Sequence, residues 1–175
     1  MTRRSSPHSW LSRRNARLLF AVVAALVAVV FSATAKRLPP TEGIVSRAID
    51  GDTVQLADGR HVRYIGIDTP ELRRFEGGRW RLDPEPYAAA AAEANRALVE
   101  GKRVRLEFDA DPADRYGRAL AYVYVDETMV NERLLADGYA ELLTVRPNVR
   151  YLDRFKRAET EARQERRGVW SGQRF

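Results

Sequence analysis

The 175-residue chain carries 30 basic and 24 acidic side chains, a formal net charge of +6, and no cysteine. Five arginines (Arg3, Arg4, Arg13, Arg14 and Arg17) fall in the acid-free stretch 1–35, which leaves 25 basic against 24 acidic groups beyond it. That near-neutral remainder gives no case for a nucleic-acid coat protein, which needs a strongly basic footprint. With no cysteine and only His61 after residue 35, disulfides, cysteine nucleophiles, thiolate zinc sites and multi-histidine metal sites are excluded.

In chain order, the basic start, the apolar run 18–31 and the Ser32-Ala33-Thr34-Ala35 sequence have the layout of a signal peptide cleaved before Lys36. Counted through Ala35, the apolar segment approaches the roughly 18 residues of a membrane span, so 1–35 reads as a signal peptide or a membrane anchor, with 18–35 as a tether. Either reading places the rest of the chain outside the cytoplasm, secreted or tethered to the outer face of the cytoplasmic membrane. Residues 36–43, with Pro39-Pro40, read as a linker, and 44–172 as one domain.

Within that domain, β-type runs are predicted at 44–49, 53–56 and 62–67, with turns at Asp50-Gly51 and Asp58-Gly59. Residues 72–82 read as a charged loop carrying Arg73, Arg74, Arg79, Trp80 and Arg81, predicted to touch the substrate. A helix follows over 84–100, capped by Asp83 and stopped by Gly101. Further strands are predicted at 103–108 and 119–125, helices at 129–137 and 148–167, and an extended piece at 139–145. The last helix sets Tyr151, Leu152, Phe155, Ala158 and Ala162 on one face, as in an amphipathic helix docked on a core. Five short strands with three helices predict a mainly β, α+β domain built as an OB-type barrel, whose closure removes exposed strand edges.

Asp50, Asp52, Asp68 and Glu71 crowd the first hairpin. With Asp58-Gly59-Arg60 as a three-residue loop, Leu56 would face Val62, Val54 face Tyr64, Asp52 face Gly66 and Asp50 face Asp68. Asp52 and Asp68 then become diagonal neighbours about 7 Å apart on one face. Like charges so placed repel, and a divalent cation held by oxygen ligands reverses the sign of their interaction. Strand alternation would point Arg63 away from Asp68 unless a bulge at Gly66 re-aims the chain.

The ordered motifs Ile49-Asp50-Gly51-Asp52-Thr53-Val54, Arg63 with Ile67-Asp68-Thr69-Pro70-Glu71, Asp114-Arg115-Tyr116-Gly117-Arg118 with Leu120-Ala121-Tyr122, and Val130-Asn131-Glu132 resemble the staphylococcal nuclease (thermonuclease) family over residues 43–170. The resemblance implies a five-stranded OB barrel with three helices. It also implies Ca²⁺-dependent hydrolysis of DNA and RNA, with single-stranded or frayed substrates preferred and with 5′-hydroxyl and 3′-phosphate products. By the same resemblance, Asp52, Asp68 and the Thr69 carbonyl would hold Ca²⁺, Glu71 would hold or deprotonate water, Arg63 and Arg118 would bind the phosphate, and Tyr116 would line the nucleotide site. Leu143 to Val145 stand where the family's best-known member carries tyrosines, so one wall of that pocket differs. A monomer is expected. The competing reading is a nucleic-acid-binding or protein-interaction OB module whose catalytic positions have decayed. The presence of the cation ligands, the glutamate and both arginines together favours the enzyme.

Overall fold

The computed structural model describes residues 40–172. The leader 1–35, with its tether segment, and residues 36–39 of the linker lie outside the described residues. Within them no helix is long and apolar enough to cross a membrane.

The strands are β1 (Glu42–Ala48), β2 (Thr53–Leu56), β3 (His61–Tyr64), β4 (Ile67–Asp68), β5 (Arg73–Glu76), β6 (Arg79–Leu82), β7 (Arg103–Glu107), β8 (Ala119–Val125), β9 (Thr128–Met129) and β10 (Glu141–Leu142). The helices are α1 (Ala88–Val99), α2 (Val130–Ala136) and α3 (Leu152–Gln164), followed by a short 3-10 turn at Gly168–Ser171. Five strands run in the order β3-β2-β1-β7-β8, and β8 returns to pair in parallel with β3. The ring closes on itself, as the OB-type expectation requires, around a core that includes Val45, Val54, Val62, Tyr64, Val104, Leu106 and Val123.

β2 and β8 coincide with the predicted strands, but the β2–β3 register does not. Val54 faces Val62 and Thr53 faces Arg63, two residues away from the expected pairing. The loop is Ala57-Asp58-Gly59, closed by Leu56 N–H donating to Arg60 O at 2.8 Å and Gly59 N–H donating to Leu56 O at 2.9 Å. A slip of two residues keeps every side chain on its own face, so hydrophobic matching alone is blind to it.

Two further expectations change. The 72–82 segment is a hairpin rather than a loop: β5 and β6 pair and turn at Gly77-Gly78. The first helix starts at Ala88, not next to Asp83, because Pro86 disfavours helical backbone at Glu85 and Tyr87 takes a left-handed φ of 69°. Once started, α1 buries Ala88, Ala91, Ala92, Asn95 and Val99 at helical spacing. Its small side chains bring Asn95 to the barrel, where it donates to Asp50 O at 2.8 Å and accepts from Tyr64 Oη at 2.8 Å.

α3 backs the turn between β3 and β4. The Phe155 ring lies so close that a Cβ on Gly66 would fall 2.6 Å from it, and Gly66 also has φ +83°. Tyr151 meets Tyr122 edge-on at 4.7 Å between centroids, fixing the start of the helix. On α2, the buried Asn131 accepts from Val123 N–H at 2.8 Å and donates to Ile65 O at 2.9 Å, tying the helix to β8 and to the same turn.

Replacing Asn131 by alanine strands the Val123 N–H and the Ile65 carbonyl in the core, each worth about 1–3 kcal/mol when left unpaired. Urea unfolding of Asn131→Ala should show a stability loss of at least about 2 kcal/mol. A loss within about 0.5 kcal/mol, the range of ordinary surface changes, would show that the tie is dispensable.

Candidate active site

Asp52 lies immediately before β2, directly after the Asp50-Gly51 turn, and it is fully buried. Its backbone N–H donates to Asp50 Oδ1 at 3.1 Å. Its Oδ2 accepts from Thr69 N–H at 3.0 Å and from Thr69 Oγ1 at 3.2 Å, and its Oδ1 accepts from Thr53 Oγ1 at 3.3 Å and from Arg63 Nη1. Gly51 leaves room for this approach, since a Cβ there would lie 2.6 Å from Thr69 Oγ1.

Arg63 therefore does not point away from Asp68. Its Nη2 reaches Asp68 Oδ1 at 2.5 Å, so one guanidinium bridges both carboxylates. The reason is the break at Ile65-Gly66: β3 ends at Tyr64, the chain turns, and β4 pairs with β10 instead of extending the hairpin, with Glu141 opposite Asp68. Asp52 and Asp68 are consequently joined by the cation between them rather than by a ladder diagonal. The Arg63 side chain is 14% exposed, and that of Asp68 is 53% exposed.

Charge is crowded here. Burial pushes the Asp52 carboxyl up to about 8 against the pull of Arg63, with Asp50 and Asp68 adding to the rise. Glu71 is also raised, first by partial withdrawal from water and then by Asp50, with Arg63 opposing. Its backbone N–H donates to Glu85 Oε2 at 3.0 Å, adding another carboxylate nearby.

The 114–118 loop is organised by Asp114, a role its sequence position did not reveal. Asp114 Oδ1 accepts from the N–H groups of Tyr116 and Arg118 at 2.9 Å each, while Oδ2 accepts from Arg118 Nε at 2.7 Å. That aims Arg118 next to the exposed Tyr116, whose hydroxyl accepts from Arg115 Nη2 at 2.6 Å.

Two cavities meet at this point. One, of about 630 Å³, runs past Arg47, Leu72 and Trp80; the other, of about 560 Å³, runs past Tyr116, Leu143 and Val145. Arg63, Glu71 and Arg118 line both. The seven residues singled out from the sequence thus fall into one site: Asp52, Thr69, Arg63 and Asp68 in a bonded chain, Glu71 and Arg118 at the junction, and Tyr116 on one wall. Asp50, Asn95 and Asp114, which hold the others in place, add to that set. Asn95 had no signal beyond its place in a helical stripe, whereas Asp114 sits at the start of a turn-forming run.

The donors suit a hard cation. Asp52 and Asp68 already grip one positive group between them, and the ligand atoms they offer are carboxylate oxygens, the hard donors such a cation takes. Among the described residues no three His, Cys, Asp or Glu side chains form a metal cage. An ion here would take two carboxylates, main-chain oxygen and water, a set Ca²⁺ accepts.

A family model described as "Staphylococcal nuclease homologue" matches residues 61–172. The chain is 42% identical over 132 residues to the SPbeta prophage-derived endonuclease YokF of Bacillus subtilis (strain 168), covering 73% of this chain and 43% of that protein. It is 41% identical over 132 residues to the endonuclease YncB of the same organism, with 73% and 60% covered. It is 37% identical over 130 residues to a thermonuclease of Staphylococcus hyicus, with 73% and 74% covered. The chain therefore spans less than two thirds of either Bacillus protein.

If the oxygen set binds Ca²⁺, adding the ion at about 100 times its Kd should stabilise the fold by about 2.7 kcal/mol. Thermal melts with and without Ca²⁺ should show that rise, and Asp68→Asn should abolish it while leaving the ion-free melt near its original temperature. An equal rise in Asp68→Asn would place the ion elsewhere.

Proposed function

The chain belongs to the staphylococcal nuclease family, and from that premise we propose that it is a Ca²⁺-dependent nuclease, hydrolysing phosphodiester bonds of DNA and RNA to 5′-hydroxyl and 3′-phosphate ends. The observation that carries this reading is the junction itself: two carboxylates converging on one cationic group, with a glutamate and a second arginine lining the same pair of cavities.

Ca²⁺, held by Asp52, Asp68 and the Thr69 carbonyl, would supply positive charge against the phosphate oxygens. Glu71 accepts a hydrogen bond from a water molecule, orients it toward phosphorus and takes its proton. As the water oxygen bonds to phosphorus, the bond from phosphorus to the 5′ oxygen breaks. The leaving oxygen takes a proton from solvent, and Glu71 returns its own to solvent.

Arg118 offers planar paired donors to the non-bridging oxygens, whose charge builds during attack, and Arg63 adds the N–H groups it does not give to Asp52 and Asp68. Asp114 holds Arg118 by Nε alone, which leaves both terminal nitrogens for the phosphate. Tyr116 offers a face to an adjoining base, with Leu143 and Val145 as an aliphatic wall of the same cavity. The arginine-rich, apolar start of the chain supports export, with the barrel secreted or tethered to the outer face of the cytoplasmic membrane.

Heat-denatured DNA and RNA incubated with the full chain should be cut in Ca²⁺ and spared in chelator, and the fragments should accept a 5′ phosphate label without prior dephosphorylation. Arg118→Ala should lower kcat by about 10²–10³-fold, the usual cost of one lost transition-state donor. Strand binding with no cleavage in Ca²⁺ would overturn the reading in favour of a binding module.

A further inference from the structure

The cavity on the far side of the junction from Tyr116 is built in a way the catalytic reading does not need. In a regular strand Arg47 would share the inward face of Val45. A bulge intervenes: Val45 faces Leu56 and Arg47 faces Gln55, so two residues of β1 span one step of β2. Val45 and Ala48 stay buried while Ser46 and Arg47 both turn outward. Bulges commonly re-aim a side chain beside a functional site. Here the re-aimed Arg47 lines the 630 Å³ groove. It has no ion pair among the described residues, whereas its neighbour Arg96 is engaged by Glu93 and Glu100.

Across the groove stands the β5–β6 hairpin. Of its residues, Arg73, Trp80 and Leu82 line the cavity, and Trp80 is 66% exposed. An exposed indole beside arginines, continuous with a phosphate-binding junction, has the two components of a single-strand platform: a face for a base and charge for the backbone.

We infer that this groove is a second nucleotide subsite, taking the nucleotide on the side of the scissile phosphate opposite Tyr116, with Trp80 stacking on its base and Arg47 contacting its phosphate. The inference rests on the nuclease reading. A strand crossing the junction enters through one cavity and leaves through the other, because Arg63, Glu71 and Arg118 belong to both. The enzyme then grips its substrate on both sides of the cut and favours internal bonds over terminal ones. Of the loop arginines singled out from the sequence, Arg73 lines the groove and Arg79 and Arg81 do not.

The test compares the full chain with Trp80→Ala, Trp80→Phe and Arg47→Ala, each first checked for an unchanged thermal melt. Kd for a nuclease-resistant phosphorothioate single strand is measured across a salt series, beside KM on long denatured DNA and on a mononucleoside aryl phosphodiester. Trp80→Ala should weaken strand binding and raise KM on long DNA by about tenfold, as expected for one lost base stack, and Trp80→Phe should keep most of the affinity. Arg47→Ala should make the slope of log Kd against log salt shallower by about 0.7, one phosphate contact on a single strand. Unchanged Kd and slope in all variants would overturn the inference. So would losses as large on the mononucleoside ester as on long DNA, since that substrate fills one side only. If the unaltered chain binds strands but cuts none, the nuclease reading falls, and the Kd comparison still decides whether the groove is a subsite.

Discussion

The bridge that Arg63 makes between Asp52 and Asp68 fixes the geometry on which the rest of the site depends, because it joins the start of β2 to the end of β4 across a break in the chain. Bringing Asp52 out of water is unfavourable, and Asp50 and Asp68 make it more so. Each neighbouring feature limits that penalty. Thr69 satisfies one carboxylate oxygen twice, Asp50 receives the Asp52 N–H, and Asn95 holds the Asp50 carbonyl from α1. The turn at Gly66, pinned by Phe155, sets where β4 begins and so where Asp68 stands. With Arg63 bonded to both carboxylates, the buried Asp52 and the half-exposed Asp68 stand on one cationic group at the edge of solvent.

Barrel closure performs the second act of assembly. The parallel β3–β8 pair places Arg63 opposite Leu120, two residues after Arg118. The loop that Asp114 folds is thereby delivered to the same end of the barrel as the carboxylates, although some fifty residues of chain, including α1 and β7, separate β3 from it. A β3–β8 contact is non-local, and closing the barrel over such a separation carries an entropic cost. The buried hydrophobic ring of Val62, Tyr64, Ala121 and Val123 offsets it. Site geometry and core packing are therefore one event, since the strand pair that seals the core also brings Arg118 to Arg63.

What could be read from the sequence follows from which forces are local. Strands β2 and β8 have alternating or continuous β-type patterns and were predicted at their observed ends, and the motif residues fell into one site. The hairpin register was not legible to within two residues, because apolar matching has period two and the deciding contact was a turn hydrogen bond between Leu56 and Arg60. The start of α1 was misplaced because Asp83-Pro84 looks like a cap, and only the left-handed Tyr87 reveals that the chain is still turning. Arg63 was expected to point away from Asp68 because alternation assumes a continuous strand, and the strand is not continuous. Asn95 acquires its role only through partners that the fold supplies, whereas the partners of Asp114 lie within its own turn.

Rigid and exposed parts of the site divide the work. Asp52, Thr69 and Arg63 sit on strands or against them, with the first two buried, and are held by bonds to one another. The walls around the junction are made differently: Trp80 lies on a two-stranded hairpin, Tyr116 on a turn, and Leu143 and Val145 just past a two-residue strand, all of them exposed. Loops carried by a rigid scaffold tolerate sequence change far better than the scaffold does. If the proposed nucleotide site is correct, exchanging aromatic for aliphatic walls, as at Leu143 and Val145, alters the grip on a base by the worth of a stacking contact without moving the carboxylates or the arginines. On the proposed reading, substrate preference and bond-breaking chemistry are then largely separable, with Tyr116 the exception, since Asp114 holds its backbone and Arg118 together.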